Sequence, residues 1–275
     1  MSDESGLTRT PTSFQDVGHP EGHDYEVGSP HLTHPGLRSW VIGTIRDAIA
    51  AQFAARGEVR VLEIGAGHGQ FTDHVLAAGA TVTTTEMSQA SAALLRERLA
   101  HNGSARVLFD ATGELEALRG EQFDIVLATA VLHHIPDYLA AIASWLDLIS
   151  PGGMFLSFQD PLWYPRRSKI AMTADRGAYY AWRIAHGDLV QGVKSFVRRA
   201  SDSYDESNPR DMVEYHVLRQ GCDEQAIAEL LRSYFDSVEV MPYWSTQARS
   251  LQRIGERFGG VSNFAVRATG RHATR

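Results

Sequence analysis

The chain has 275 residues, 43% of them apolar, which is enough to bury a substantial core within one domain. Its formal net charge of -7 argues against a general nucleic-acid binder, which would present a basic face. Its single cysteine, Cys222, excludes an internal disulfide and fits a reducing, cytoplasmic setting. No apolar run approaches the length of a membrane span, and the start lacks the basic and apolar regions of a secretory leader, so no membrane partner is expected. Cysteine and histidine form no cluster with metal-ligand spacing, so no metal site is expected.

Met1–Glu26 is polar and rich in Ser, Thr, Pro and Asp, and residues 1–36 read as a flexible N-terminal segment. Within it, His31 and His34 lie in a Pro-rich stretch and read as surface histidines. A helix follows over Leu37–Ala55, with Leu37, Val41, Ile45, Ile49 and Phe53 on one stripe. Next comes VLEIGAGHGQ, Val61–Gln70: an apolar, buried-strand run, then Gly65, Gly67 and Gly69 at alternate positions. Glycines in such a turn permit positive φ and let a ligand approach where a Cβ would collide. A helix is expected to start near Gly69, with its free N–H groups facing the crevice. Glu63 falls at the carboxyl end of the strand, where open α/β sheets bind ligands. A dinucleotide site would need G-x-G-x-x-G, but the third glycine comes one residue early and Gln70 occupies its place. An acid so close to the turn suits a cation better than a diphosphate.

Ala80–Thr85 reads as a second strand ending at Glu86, about 20 residues past the glycines, a position suited to ribose hydroxyls. Ser88 is placed to cap the next helix. Arg106–Phe109 is a third strand, ending at Asp110, and an acid there is commonly a turn residue. The fourth strand, Phe123–Ala128, carries Asp124 and runs into Thr129-Ala130-Val131-Leu132-His133-His134-Ile135-Pro136-Asp137. Pro136 and Asp137 read as the opening of a helix through Ile149. Ser150–Gly153 reads as a turn into strand five, Met154–Gln159. Pro161–Gly221 is too long for a simple connection and is rich in aromatics, so it reads as a lid. Glu224–Tyr234 reads as a helix, then Val238–Tyr243 and Asn263–Thr269 as two last strands.

Glu63, Gly65, Gly67 and Gly69 spell E-x-G-x-G-x-G, which resembles the first motif of the class I S-adenosylmethionine-dependent methyltransferases. Acids after strands two and three, and the LHHIPD segment Leu132–Asp137, extend the resemblance over roughly Val59 to Asp160. It is closest to the broad group holding ubiquinone-pathway and natural-product enzymes. The resemblance implies an α/β fold, a Rossmann-like three-layer sandwich. Its seven-stranded sheet is mostly parallel, with an antiparallel last strand. Residues 37–275 form a single domain with a helical lid, 161–221, inserted after strand five. It also implies S-adenosylmethionine as cofactor and S-adenosylhomocysteine as product. Glu63, Gly65, Ala66, Gly67 and Gly69 would hold the amino-acid end. Glu86 would take the ribose, with Met87 packing on the adenine. Asp110 would receive the adenine amino group and Ala111 would offer its N–H to a ring nitrogen. The carbonyl near Thr129 would face the methionine ammonium, and His31 and His34 would lie over the site.

Catalysis then needs a nucleophile in line with the S–CH3 bond and, for a hydroxyl or a protonated amine, a base. His133 and His134 are the leading candidates, His133 first, because histidine titrates near neutral pH. Asp160, Tyr164 and His216 are weaker ones. The lid's first part is basic: Arg166, Arg167, Lys169, Arg176, Arg183, Lys194, Arg198 and Arg199 against Asp175 and Asp188. That pattern reads as a solvated helix face or, more sharply, as recognition of an anionic acceptor. The fourth strand is followed neither by the D/N-P-P-aromatic pattern of base-modifying enzymes nor by the paired acids of a magnesium-dependent catechol enzyme. Cys222 lacks the preceding proline of a cytosine C5 nucleophile and reads as a small buried residue. The expectation is metal-independent methyl transfer to oxygen, or to nitrogen or carbon, of a small molecule. The alternatives are a cyclase or rearrangement enzyme retaining the cofactor structurally, and a non-catalytic cofactor-binding protein.

Overall fold

The structure is a computed structural model, and it describes residues 29–168 and 221–273 together with Met172, Thr173 and Gly177. Most of the expected lid and of the N-terminal segment therefore lies outside the described residues.

A one-turn helix, α1 (Pro30–Thr33), precedes the long α2 (Pro35–Arg56). Each starts on a proline, whose missing N–H is no loss in a first turn. Gly57, with φ +81°, ends α2 in the left-handed conformation. The expected stripe is confirmed: Leu37, Val41, Ile45 and Ile49 are buried and Phe53 is half-buried. The sheet comprises β1 (Arg60–Ile64), β2 (Thr81–Glu86), β3 (Ala105–Phe109), β4 (Phe123–Thr129), β5 (Ile149–Pro161), β6 (Phe235–Tyr243) and β7 (Asn263–Arg271). Its order is β3-β2-β1-β4-β5-β7-β6. The first five strands pair in parallel, while β7 runs antiparallel between β5 and β6. The remaining helices are α3 (Thr72–Ala77), α4 (Gln89–Leu99), α5 (Tyr138–Trp145), α6 (Glu224–Arg232) and α7 (Arg249–Phe258).

The central parallel strands β1 and β4 are buried almost throughout, which is why they read as near-continuous apolar runs, whereas β3 at the sheet edge is only half-buried. One core joins Val41 and Ile45 of α2 and Val75 of α3 to Val61, Leu127 and Phe158 of the sheet. The opposite core joins Ile142 and Trp145 of α5 and Ile227 and Leu231 of α6 to Leu62, Val126 and Phe155. The result is the expected three-layer α/β sandwich.

Several boundaries differ from the sequence reading. The helix expected from Pro136 through Ile149 is only Tyr138–Trp145. Asp137 is its N-cap and accepts from Ala140 N at 3.0 Å, so Pro136 falls before the helix. A single 3-10 turn, Leu146–Leu148, follows, and Ile149 is already in β5. Ser150–Gly153 does not end an element; the strand passes through it, with a shift in the β4–β5 register between Phe123 and Ile125. The helix after the glycines begins at Thr72 rather than near Gly69. Helix α7 was not foreseen at all. No helix among the described residues is long and apolar enough to cross a membrane.

Candidate active site

Strand order reverses between β1 and β4, which opens a crevice at the carboxyl edge of the sheet. The predicted residues gather on that edge: Glu63 near the end of β1, Glu86 ending β2, Asp110 after β3, Thr129 ending β4 and Asp160 near the end of β5.

The glycine loop is held from behind. Gly65 N and Ala66 N both donate to the Thr85 carbonyl, at 2.9 and 3.2 Å, tying the loop to β2. Gly65 has φ +66°, and a Cβ there would lie 2.7 Å from Val131 Cγ2 of the segment after β4. Gly67, at φ +57°, donates its N–H to Glu86 Oε2 at 2.8 Å. Gly69 is fixed by packing: at φ +79°, a Cβ would meet Leu95 Cδ1 at 2.6 Å and Arg98 Nη1 at 3.2 Å. Arg98 of α4 also clasps the loop, donating to the carbonyls of His68 and Gly69 and pairing with Asp73. Gly69→Ala is therefore expected to destabilise the fold by about 1–3 kcal/mol through overpacking and a strained φ. A lower urea midpoint at unchanged m value is the readout.

Glu63 is buried, at 3% exposure, and accepts from Thr72 Oγ1 at 2.6 Å. Loss of hydration pushes its carboxyl up to about 7, against the opposing pull of the Thr72 hydroxyl. Glu86 organises the start of α4: Oε1 accepts from Met87 N at 3.0 Å and Ser88 N at 3.1 Å. Ser88 caps α4 as expected, accepting from Ser91 N. Asp110 collects four bonds from its own loop. Thr112 N, Thr112 Oγ1 and Gly113 N reach Oδ1, and Leu115 N reaches Oδ2 at 2.8 Å. Asp110 thus ties its own turn together. The sulfur of Met87 lies 3.5 Å from where a Gly113 Cβ would be, so Met87 and the 110–115 loop share one wall, with Ala111 half-buried between them.

Beyond β4, Ala130 takes φ +58° while its N–H donates to the Phe158 carbonyl at 2.8 Å. The single 3-10 turn Leu132–His134 then presents two histidines, their rings 4.0 Å apart. His133 Nδ1 lies 2.9 Å from Asp160 Oδ1, and the same oxygen accepts from His133 N at 3.1 Å. Asp160 is fully buried. A bulge in the β5–β7 pairing between Ser157 and Asp160 sets its direction, with Gln159 at φ +68°. Asp160 Oδ2 and Thr129 Oγ1 are buried with no hydrogen-bond partner among the described residues.

Sequence reasoning missed the support under this bulge. Gln159 N donates to Tyr243 Oη at 2.7 Å, Tyr243 Oη donates to Gln159 Oε1 at 3.1 Å, and Gln159 Nε2 donates to Ser245 Oγ at 2.7 Å. Burial drives the Tyr243 phenol far above its usual range, so it stays neutral. His31 and His34 are corrected from surface residues to buried ones. His34 Nε2 donates to the Thr246 carbonyl at 2.6 Å, and His31 stacks on Phe71 at 5.9 Å. Of the basic lid residues, Arg166 is committed to Asp223 and Glu224 and lies 4.5 Å over the Trp163 ring, and Arg167 lies 5.5 Å over Tyr164. Lys169, Arg176, Arg183, Lys194, Arg198, Arg199 and His216 lie outside the described residues. Cys222 is buried, as expected.

Residues 62–155 match the sequence profile of a family described as "Methyltransferase domain". A ubiquinone biosynthesis O-methyltransferase of Aromatoleum aromaticum is 31% identical over 141 residues, covering 50% of this chain and 56% of that protein. The chain thus spans about half the length of the curated relatives it matches. The crystal structure of the CurJ carbon methyltransferase superposes with a TM-score of 0.57 at 16% identity, covering 94% of this chain and 61% of that one. The N-methyltransferase NodS from Bradyrhizobium japonicum WM9, solved with S-adenosyl-L-homocysteine, gives 0.53 at 15% identity, covering 95% and 99%. At such identities the solved structures share the fold.

Proposed function

We propose that this chain is a class I S-adenosylmethionine-dependent methyltransferase that transfers a methyl group from that cofactor to an oxygen of a small organic molecule; the match of residues 62–155 to a methyltransferase domain and the likeness to ubiquinone biosynthesis O-methyltransferases support this reading. The cofactor's residues are those of the crevice. Gly65, Ala66, Gly67 and Gly69 form the cradle, with Glu63 and the Thr129 carbonyl toward the ammonium, Glu86 toward the ribose, and Met87, Asp110 and Ala111 toward the adenine. The donor set fits: buried carboxylates on a glycine turn suit a sulfonium and an ammonium and repel a diphosphate. When bound, the cofactor supplies a methyl group already activated on sulfur.

One observation carries this reading: the His133–Asp160 pair, 2.9 Å apart, on the crevice edge, which suits an acceptor that must lose a proton, as a hydroxyl does. Asp160 accepts a hydrogen bond from Nδ1–H, which puts the acceptor lone pair of the neutral ring on His133 Nε2. A hydroxyl must lose its proton as it attacks, and His133 takes it at Nε2. Buried Asp160 then faces the imidazolium and offsets its charge, while His134 packs beside it. Positioning in such a site contributes on the order of 7–11 kcal/mol, and a base about 10²–10⁴-fold.

The test is incubation with methyl-labelled S-adenosylmethionine and a panel of small phenols and alcohols. Label is expected in a methoxy group, with equimolar S-adenosylhomocysteine. Product formed without label transfer would instead support the cyclase reading.

A further inference from the structure

His31 holds a hydrogen-bonding atom that no described residue meets. The residue is 7% exposed, and its Nδ1 has no partner among the described residues. A buried polar atom left this way costs on the order of 1–3 kcal/mol until something meets it. Packing does not explain a histidine here. Leu32 already supplies the apolar contact of this turn, and a phenylalanine ring would stack on Phe71 equally well. What the histidine adds is the nitrogen.

Its position is informative. Phe71 follows directly on the glycine loop, and the two rings are nearly parallel, at 19°. His133, after β4, couples electrostatically to His31, which puts the two histidines near one another. Helix α1 therefore sets His31 across the crevice between the β1 and β4 loops. Glu86 and Asp110, on the far side of β1, mark the nucleoside end. The amino-acid end of the cofactor carries an ammonium and a carboxylate. The groups assigned to it, Glu63 and the Thr129 carbonyl, suit the cation and leave the carboxylate to be met by a donor. Burial holds the imidazole neutral, its titration pushed down to about 3, with a smaller contribution from His133. A neutral ring donates an N–H without setting a second positive charge beside the sulfonium.

We propose that His31 binds the carboxylate at the amino-acid end of S-adenosylmethionine, donating from Nδ1. This rests on the methyltransferase reading and assigns a residue to one group of its cofactor. Calorimetry on the full chain separates the two. S-adenosylhomocysteine carries the carboxylate, whereas 5′-methylthioadenosine shares the nucleoside and the sulfur but lacks the amino-acid end. His31→Phe keeps the stacked ring and should weaken S-adenosylhomocysteine about tenfold or more, as for a lost hydrogen bond to a charged group. Its affinity for 5′-methylthioadenosine should stay within about twofold of the native value. His31→Asn returns an amide nitrogen near the place of Nδ1 and should recover most of the loss. Should His31→Phe not fold, His31→Leu carries the same comparison. Equal losses for both ligands would mark a packing role and overturn the proposal, as would an unchanged affinity for S-adenosylhomocysteine. If the native chain binds neither ligand, the cofactor reading fails first and this inference falls with it.

Discussion

His133→Ala is expected to slow methyl transfer by about 10²–10⁴-fold while leaving affinity for S-adenosylhomocysteine unchanged. The affinity is spared because His133 is assigned to the proton and not to the cofactor. Asp160→Asn should lower the rate in the same direction. The His133 N–H, 3.1 Å from Oδ1, still finds a carbonyl oxygen, so the geometry survives. What is lost is the negative charge that steadies the imidazolium. The two residues act as one unit, so the double variant should be little slower than His133→Ala alone. Single-turnover rates of the three variants, with S-adenosylhomocysteine titrations beside them, check this. A His133→Ala enzyme as fast as the native one would remove the base from the mechanism and would make an acceptor that attacks without losing a proton to the enzyme, such as a neutral amine, the better choice.

Glu63 gives the second large effect, through pH. Its carboxyl is raised from 4.5 to about 7 by burial, so it is mostly protonated at pH 6 and ionised at pH 8. The ligand's ammonium, facing this carboxylate, favours the ionised form. Affinity for S-adenosylhomocysteine should therefore fall on the order of tenfold per pH unit below 7 and level off above it. Binding between pH 6 and 7 should release a proton, measurable as a heat that changes with the ionisation enthalpy of the buffer. Glu63→Gln should bind more weakly at pH 8, lose most of the pH dependence and release no proton. Stability has the opposite slope. A raised acid folds without penalty below its unfolded value, and that advantage is lost as pH rises through the folded one. Glu63→Gln should therefore be more stable than the native chain at pH 8, by up to a few kcal/mol, and similar to it at pH 4. Denaturant midpoints at the two pH values decide it.

Much of this site is legible from local signals. A buried strand, a glycine turn and an acid at each of the next two strand tips are short-range features, and β1, β2 and β3 formed where they were read. What escaped was set by distant contacts. Gln159 adopts a left-handed backbone without being glycine, because Tyr243 and Ser245 hold it from 84 and 86 residues away. His133 and Asp160 were each named, but no local pattern pairs residues 27 apart across a bulge. Asp110 shows the reverse case, where its own loop consumes four hydrogen bonds. Helix α7 carries a short apolar stripe, Leu251, Ile254 and Phe258, but it does not face the core: the sole buried residue is polar Gln252, while Ile254 and Phe258 are exposed. Its Gly255 looks like a breaker but makes room for Trp244, whose ring atoms lie 2.3 Å from any Cβ placed there. Ile149 was lost to the turn-like Ser-Pro-Gly-Gly that follows it, which the strand absorbs by shifting register.

The chain leaves the sheet at Pro161 and returns at Gly221 through one doorway. Cys222 N donates to the Pro161 carbonyl at 2.9 Å, and Leu162 bridges to Cys222. At Gly221 the two backbones approach so closely that a Cβ would lie 2.3 Å from the Leu162 carbonyl oxygen. Arg166 fastens the same threshold to Asp223 and Glu224. Entry and exit are thus joined independently of what is threaded between them, and lengthening a closed excursion adds little entropic cost. Grafting a different segment between these posts should leave the cofactor crevice standing, so selection can rewrite the guest while keeping the host.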